Sequence, residues 1–135
     1  MKTAVVVAVN DMFFASKIRA TAEHLNVEVL FAKNAVAVID AAREFKPSLI
    51  IFDLHEKKCE PFATAARIKA ADDLRGTQLL GFYSHVNTEL RREAEAAGFD
   101  SVLPRSRFTK HLADILQGSD QQLDGEKSGE ERTHI

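Results

Sequence analysis

A chain of 135 residues, 45% apolar and 28% charged, has the length of one domain around one core and the composition of an ordinary globular protein. Its net charge of −2 argues against dedicated nucleic-acid binding, which needs a basic balance, and Cys59 as the sole cysteine excludes a disulfide framework or a cysteine metal cluster. The first apolar stretch, residues 4–9, is too short to cross a bilayer and runs into Asn10 and Asp11 instead of a signal-peptide cleavage pattern. No membrane partner is expected, and the expected setting is cytoplasmic.

Two kinds of segment alternate along the chain. Residues 4–9, 27–32, 48–52, 78–83 and 101–103 are short and apolar, mostly rich in Val, Ile, Leu and Phe, and read as strands buried on both faces. After the first strand, Phe14, Ile18, Ala22 and Leu25 share one helical face. After the second, Val38, Ile39, Ala42 and Phe45 do the same, with Asn34 placed as an N-cap and Pro47 stopping the helix. Ala65 and Ile68 mark a third helix. Leu90, Ala94 and Ala97 mark a fourth, between Asn87 as its cap and Gly98 just past its end. Phe108, Leu112, Ile115 and Leu116 mark a fifth, closed by Gly118. This order is β-α five times over, which calls for a parallel sheet with helices on both faces.

The character changes after Gly118. Residues 119–135 lack apolar periodicity and are dominated by Asp, Gln, Glu, Ser and Gly, so they are expected to be a disordered acidic tail. The expected organisation is one folded domain over residues 1–118 and a tail over 119–135, with no output domain.

In an open parallel sheet, ligands bind beyond the carboxyl ends of the strands where strand order reverses. With the order 2-1-3-4-5, that point lies between the first and third strands. Asn10 and Asp11 follow the first strand, Asp53 ends the third, Ser84 ends the fourth and Arg105 follows the fifth. Carboxylates, an amide, a hydroxyl and a guanidinium on one edge are parts for binding a divalent cation and an anion together. No glycine precedes Gly76, so the glycine turns of dinucleotide and P-loop sites are absent from the first three strand ends.

The segments Val9-Asn10-Asp11, Leu49-Ile50-Ile51-Phe52-Asp53, Tyr83-Ser84, Ala96-Ala97-Gly98 and Leu103-Pro104-Arg105 resemble a response-regulator receiver domain over residues 3–117. That resemblance implies a flavodoxin-like (βα)5 fold, an α/β three-layer sandwich. It implies phosphoryl acceptance at Asp53 from a histidine kinase or small phosphodonor. Asp11 and Asp53 would hold Mg²⁺ together with the His55 backbone carbonyl, with Asn10 acting through water, while Ser84 would bind the transferred group. It further implies a signalling protein without other catalysis, which contacts partners or a second copy of itself through its fourth helix, fifth strand and fifth helix.

Several positions depart from the family pattern. Asn10 replaces one acid of the metal-holding pair, so Mg²⁺ binding is expected to be weak, or absent in a degenerate receiver. Arg105 replaces the family's lysine, Ser106 replaces the proline after it, and Val102 stands where a reporting aromatic is usual. The loop over residues 54–60 lacks the usual Met-Pro and Asp-Gly elements. A guanidinium grips carboxylates in a planar fork, so Arg105 is expected to pair with unmodified Asp53 and compete with metal. The other histidines show no ligand spacing and read as surface residues. Cys59 beside Lys57 and Lys58 is either a reactive thiol or, more simply, a buried one. Arg91, Arg92, Arg105, Arg107 and Lys110 read as a solvated basic face.

Three functions stay open on the sequence: a phosphorylated receiver, a phosphorylation-independent pseudo-receiver, and a flavodoxin-like small-molecule binder.

Overall fold

The computed structural model describes residues 4–85 and 88–118; Asn87, His134 and the expected tail over 119–135 lie outside the described residues. The strands are β1 (Ala4–Ala8), β2 (Glu28–Phe31), β3 (Leu49–Asp53), β4 (Gln78–Tyr83) and β5 (Ser101–Pro104). The helices are α1 (Met12–Leu25), α2 (Ala35–Phe45), α3 (Pro61–Ala70), α4 (Thr88–Ala97), α5 (Arg105–Lys110) and α6 (Leu112–Leu116). All strand pairs are parallel, in the order β2-β1-β3-β4-β5.

Side-chain alternation along the strands builds two cores. Val6, Ile50, Phe52, Leu79 and Val102 point to one face and pack with Val38 and Ala42 of α2, Ile68 of α3 and Ala94 of α4. Val5, Val7, Ile51, Leu80, Phe82 and Leu103 point to the other, against Phe14 and Ile18 of α1, Phe108 of α5 and Ile115 of α6. Because both faces are covered, the central strands read as unbroken apolar runs instead of alternating ones. Each fully buried phenylalanine or leucine contributes roughly 2–3 kcal/mol of transfer free energy.

The expected caps are present where they are described. The Asn34 side chain accepts the Ala37 N–H at 2.8 Å. Gly98 and Gly118 take φ of 106° and 84° just past their helices, conformations that disfavour any Cβ.

The structure corrects three expectations. β2 is not buried on both faces: Glu28 is exposed and Val29 to Phe31 only partly covered, because the strand order puts β2 at a sheet edge. Phe45, the last residue of α2, is 44% exposed. The fifth helical segment is two helices, with a break at His111 (φ −106°, ψ 19°). Apolar spacing cannot report that break, because Phe108, Leu112, Ile115 and Leu116 all remain on the buried side. A short 3-10 turn, Lys57–Cys59, also stands in the segment after β3.

Candidate functional site

The register fixes where the strand ends meet. Ala8 of β1 is the partner of Phe52 of β3, so Asp53 lies one step beyond that pair, and Asn10 and Asp11 leave the neighbouring strand at the same edge. Asp53 is itself paired with Phe82 of β4, and Tyr83 with Pro104 of β5, which brings Ser84 and Arg105 to this edge as well. All the expected site residues therefore gather at the carboxyl ends of β1, β3, β4 and β5.

Asp53 is half-buried at the end of a central strand. Its Oδ1 accepts the His55 N–H at 2.9 Å, and its carbonyl accepts the Glu56 N–H at 3.0 Å, so the chain turns tightly around the carboxylate. Burial pushes the Asp53 carboxyl above its ordinary pKa of 3.8; the His55 N–H and the charge of Arg105 oppose that rise, while Glu56 adds to it. No second partner engages Oδ2 among the described residues.

Asp11 does two jobs. Its Oδ1 caps α1 by accepting the Phe14 N–H at 3.0 Å, and its Oδ2 lies 3.6 Å from Arg105 Nη2. The Phe14 N–H, foremost, holds the Asp11 carboxyl below its ordinary value; desolvation opposes it, and the charge of Arg105 adds to the lowering. Arg105 also lies over the Phe14 ring, 4.1 Å from its centroid. The expected Arg105–Asp53 pair is thus corrected: the guanidinium pairs with Asp11, because α1 and α5 pack on the same face of the sheet and Phe14 offers it a platform. Asp53 feels Arg105 only as a charge at longer range.

Asn10 donates its amide N–H to the Lys33 carbonyl at 3.2 Å, while its Oδ1 is buried without a hydrogen-bond partner. A buried acceptor of this kind calls for water or an ion. Among the described residues no group of three or more His, Cys, Asp or Glu side chains is arranged to hold a metal. A divalent cation bound here would draw on two carboxylates completed by amide, carbonyl and water oxygens. Mg²⁺ accepts that pattern, so the residues present fit it.

His55 bridges the strand ends in a way that sequence reasoning missed. Its Nε2 accepts the Ser84 backbone N–H at 3.1 Å, which requires that nitrogen to be unprotonated. The His55 and His85 rings meet edge to face, with centroids 5.8 Å apart. Beside them an open, mainly apolar groove of about 510 Å³ is lined by Leu54, His55, Pro61, Phe62 and Leu90.

The remaining candidates are quieter. Val102 is 2% exposed and packs in the core, with no ring to reorient. Cys59 is buried, and burial pushes its thiol up to about 11, which removes the reactive alternative. Arg91 pairs along its own helix with Glu95 at 4.0 Å, and Arg107 is largely covered, so the basic residues are not all a solvated face. No helix among the described residues is long and apolar enough to cross a membrane.

No protein-family model and no curated protein matches the chain. Solved structures do. A response regulator from Hahella chejuensis superposes with a TM-score of 0.77 at 18% identity, over 86% of this chain and 93% of that one. A chemotaxis response regulator of Vibrio cholerae gives 0.75 at 17%, over 87% and 98%. The receiver domain of a sensor histidine kinase from Pseudomonas aeruginosa, solved with magnesium in its active-site cleft, gives 0.75 at 15%, over 87% and 96%. Together with the strand order and the helices on both faces, these likenesses show that the chain has the fold of response-regulator receiver domains, a flavodoxin-like α/β sandwich.

Proposed function

We propose that this chain is a receiver module of two-component signalling that accepts a phosphoryl group at Asp53. The observation that carries the proposal is the convergence of Asp53, Asp11, Ser84 and Arg105 at one sheet edge, with Asp53 Oδ2 left unengaged. The donor is a phosphohistidine of a kinase or a small acyl phosphate. Asp53 Oδ2 forms the new bond to phosphorus as the donor's nitrogen or oxygen leaves with the old bonding pair. The His55 N–H holds the other carboxylate oxygen and fixes the direction of attack. The Ser84 hydroxyl and the Arg105 guanidinium stand on the same edge to receive phosphoryl oxygens. Asp11, Asp53 and the His55 carbonyl would hold Mg²⁺, with Asn10 acting through water; when bound, that ion neutralises charge on the transferred group.

On this reading the protein catalyses nothing beyond its own phosphorylation and dephosphorylation. It works in the cytoplasm, and its modified form is read by a protein partner, or by a second copy, at α4, β5 and α5. The test is incubation with Mg²⁺ and acetyl phosphate followed by intact mass. A phosphoryl adduct is expected on the native chain and none on Asp53→Asn. An unmodified native chain under strong donor conditions contradicts the proposal.

A second reading is favoured by one observation, the Asp11–Arg105 pair: a pseudo-receiver that binds partners without phosphorylation. Such a protein shows no change in thermal stability with Mg²⁺, whereas a working cation site stabilises the fold by mass action.

A further inference from the structure

Asp11 has no carboxylate oxygen to spare. Oδ1 is committed to the Phe14 N–H and Oδ2 faces Arg105 Nη2 at 3.6 Å. The guanidinium is held from below as well, since its carbon lies 4.1 Å from the centroid of the Phe14 ring. That ring is fixed in turn, edge-on to Phe82 at 5.2 Å and tilted against Phe108 at 5.7 Å. Arg105 is thus a positioned positive charge seated on the carboxylate that a divalent cation needs.

We infer that Arg105 is a built-in competitor for the divalent cation: guanidinium and metal occupy Asp11 Oδ2 in turn, and Arg105 sets the cation affinity of the site. This rests on reading Asp11 and Asp53 as a cation seat. A guanidinium seated at that oxygen repels an incoming dication, so each weakens the other's hold on Asp11 and a metal entering the seat favours release of the guanidinium. The exchange is feasible because the pair is shallow, with side chains 38% and 43% exposed, and exposed pairs are held weakly. Arg105 is the first residue of α5 and directly follows β5, so the exchange takes place where that helix begins.

The test is calorimetric titration of Mg²⁺ alone into the full chain and into Arg105→Gln, Asp11→Asn and the double variant, at low ionic strength. Arg105→Gln is expected to bind Mg²⁺ about two- to fivefold more tightly than the native chain. The gain shrinks as salt is raised and disappears in the double variant. Independently of any variant, Mg²⁺ is expected to shift the NMR signal of the Arg105 Nε–H in the native protein. If Arg105→Gln binds Mg²⁺ as the native chain does while Asp11→Asn abolishes binding, the competition is refuted and the cation seat stands. If neither the native chain nor Arg105→Gln binds Mg²⁺, the seat itself is refuted and the inference falls with it.

Discussion

Replacing Gly81 by alanine adds one methyl group to the middle of β4, facing the residue that follows Asp53. A Cβ at this position lies 2.7 Å from Leu54 Cδ2, 3.0 Å from its Cγ and 3.1 Å from its Cδ1. Comfortable carbon–carbon contact is about 3.5–4.0 Å, so the whole end of the Leu54 side chain has to retreat by up to about 1 Å. Leu54 is 4% exposed and packed in the core, but it also lines the open groove beside α3, which gives it somewhere to move. Overpacking of this kind costs about 1–3 kcal/mol, and loss of glycine's freedom in the unfolded chain returns about 0.4–1 kcal/mol. The expected net effect is a destabilisation of about 1–2 kcal/mol. The assay is urea denaturation of Gly81→Ala, Leu54→Ala and the double variant, read at constant m-value. Truncating Leu54 removes the colliding atoms, so Gly81→Ala is expected to be nearly neutral in that background, a coupling of about 1–2 kcal/mol. An equal cost of Gly81→Ala in both backgrounds refutes the reasoning.

Asn34→Ala removes the acceptor of the Ala37 N–H and is expected to cost about 1 kcal/mol, read as a lower urea midpoint. Asp100→Ala strands the Leu79 N–H, which its carboxylate accepts at 2.8 Å, and takes from Lys69 its carboxylate partner at 3.0 Å, leaving it the Thr77 and Arg75 carbonyls; a loss of about 1–3 kcal/mol is expected in the same assay. Asp53 gives a pH-dependent result. Its folded-state pKa lies above the ordinary 3.8, so the folded state holds the proton more readily than the unfolded one, and stability falls as pH rises from 3.8 through the raised value. The penalty is complete at neutral pH and absent below 3.8. Asp53→Asn is therefore expected to raise the urea midpoint at pH 7 and to lose that advantage as the pH approaches 3.8.

The architecture was legible because parallel strands buried on both faces leave short apolar runs, and the helices between them leave a regular apolar spacing. Placing Asp53 and Asp11 together followed from strand order alone, since side chains at the ends of adjacent parallel strands must share an edge. What stayed hidden depends on contacts between elements. The partner of Arg105 was read as Asp53 because residue types allow either carboxylate; the choice of Asp11 depends on the Phe14 ring beneath the guanidinium, which no spacing reveals. The bridge from His55 to the Ser84 backbone joins the segments that follow two separate strands and leaves no trace in either. Gly81 did carry a signal, since a glycine inside a strand marks close approach of a neighbour, but only the fold names Leu54 as that neighbour. Asp11 stands directly before α1, where an N-cap and a cation ligand call for the same residue type, so its position alone does not separate the two roles.

The central claim is that Asp53, among all the carboxylates of this chain, forms the bond to phosphorus. An acyl phosphate on aspartate is reduced by borohydride to homoserine, which records the site permanently. After treatment with Mg²⁺ and acetyl phosphate, reduction and peptide mapping, homoserine is expected at position 53. Homoserine at another acidic residue, or at none while the chain remains folded, contradicts the account.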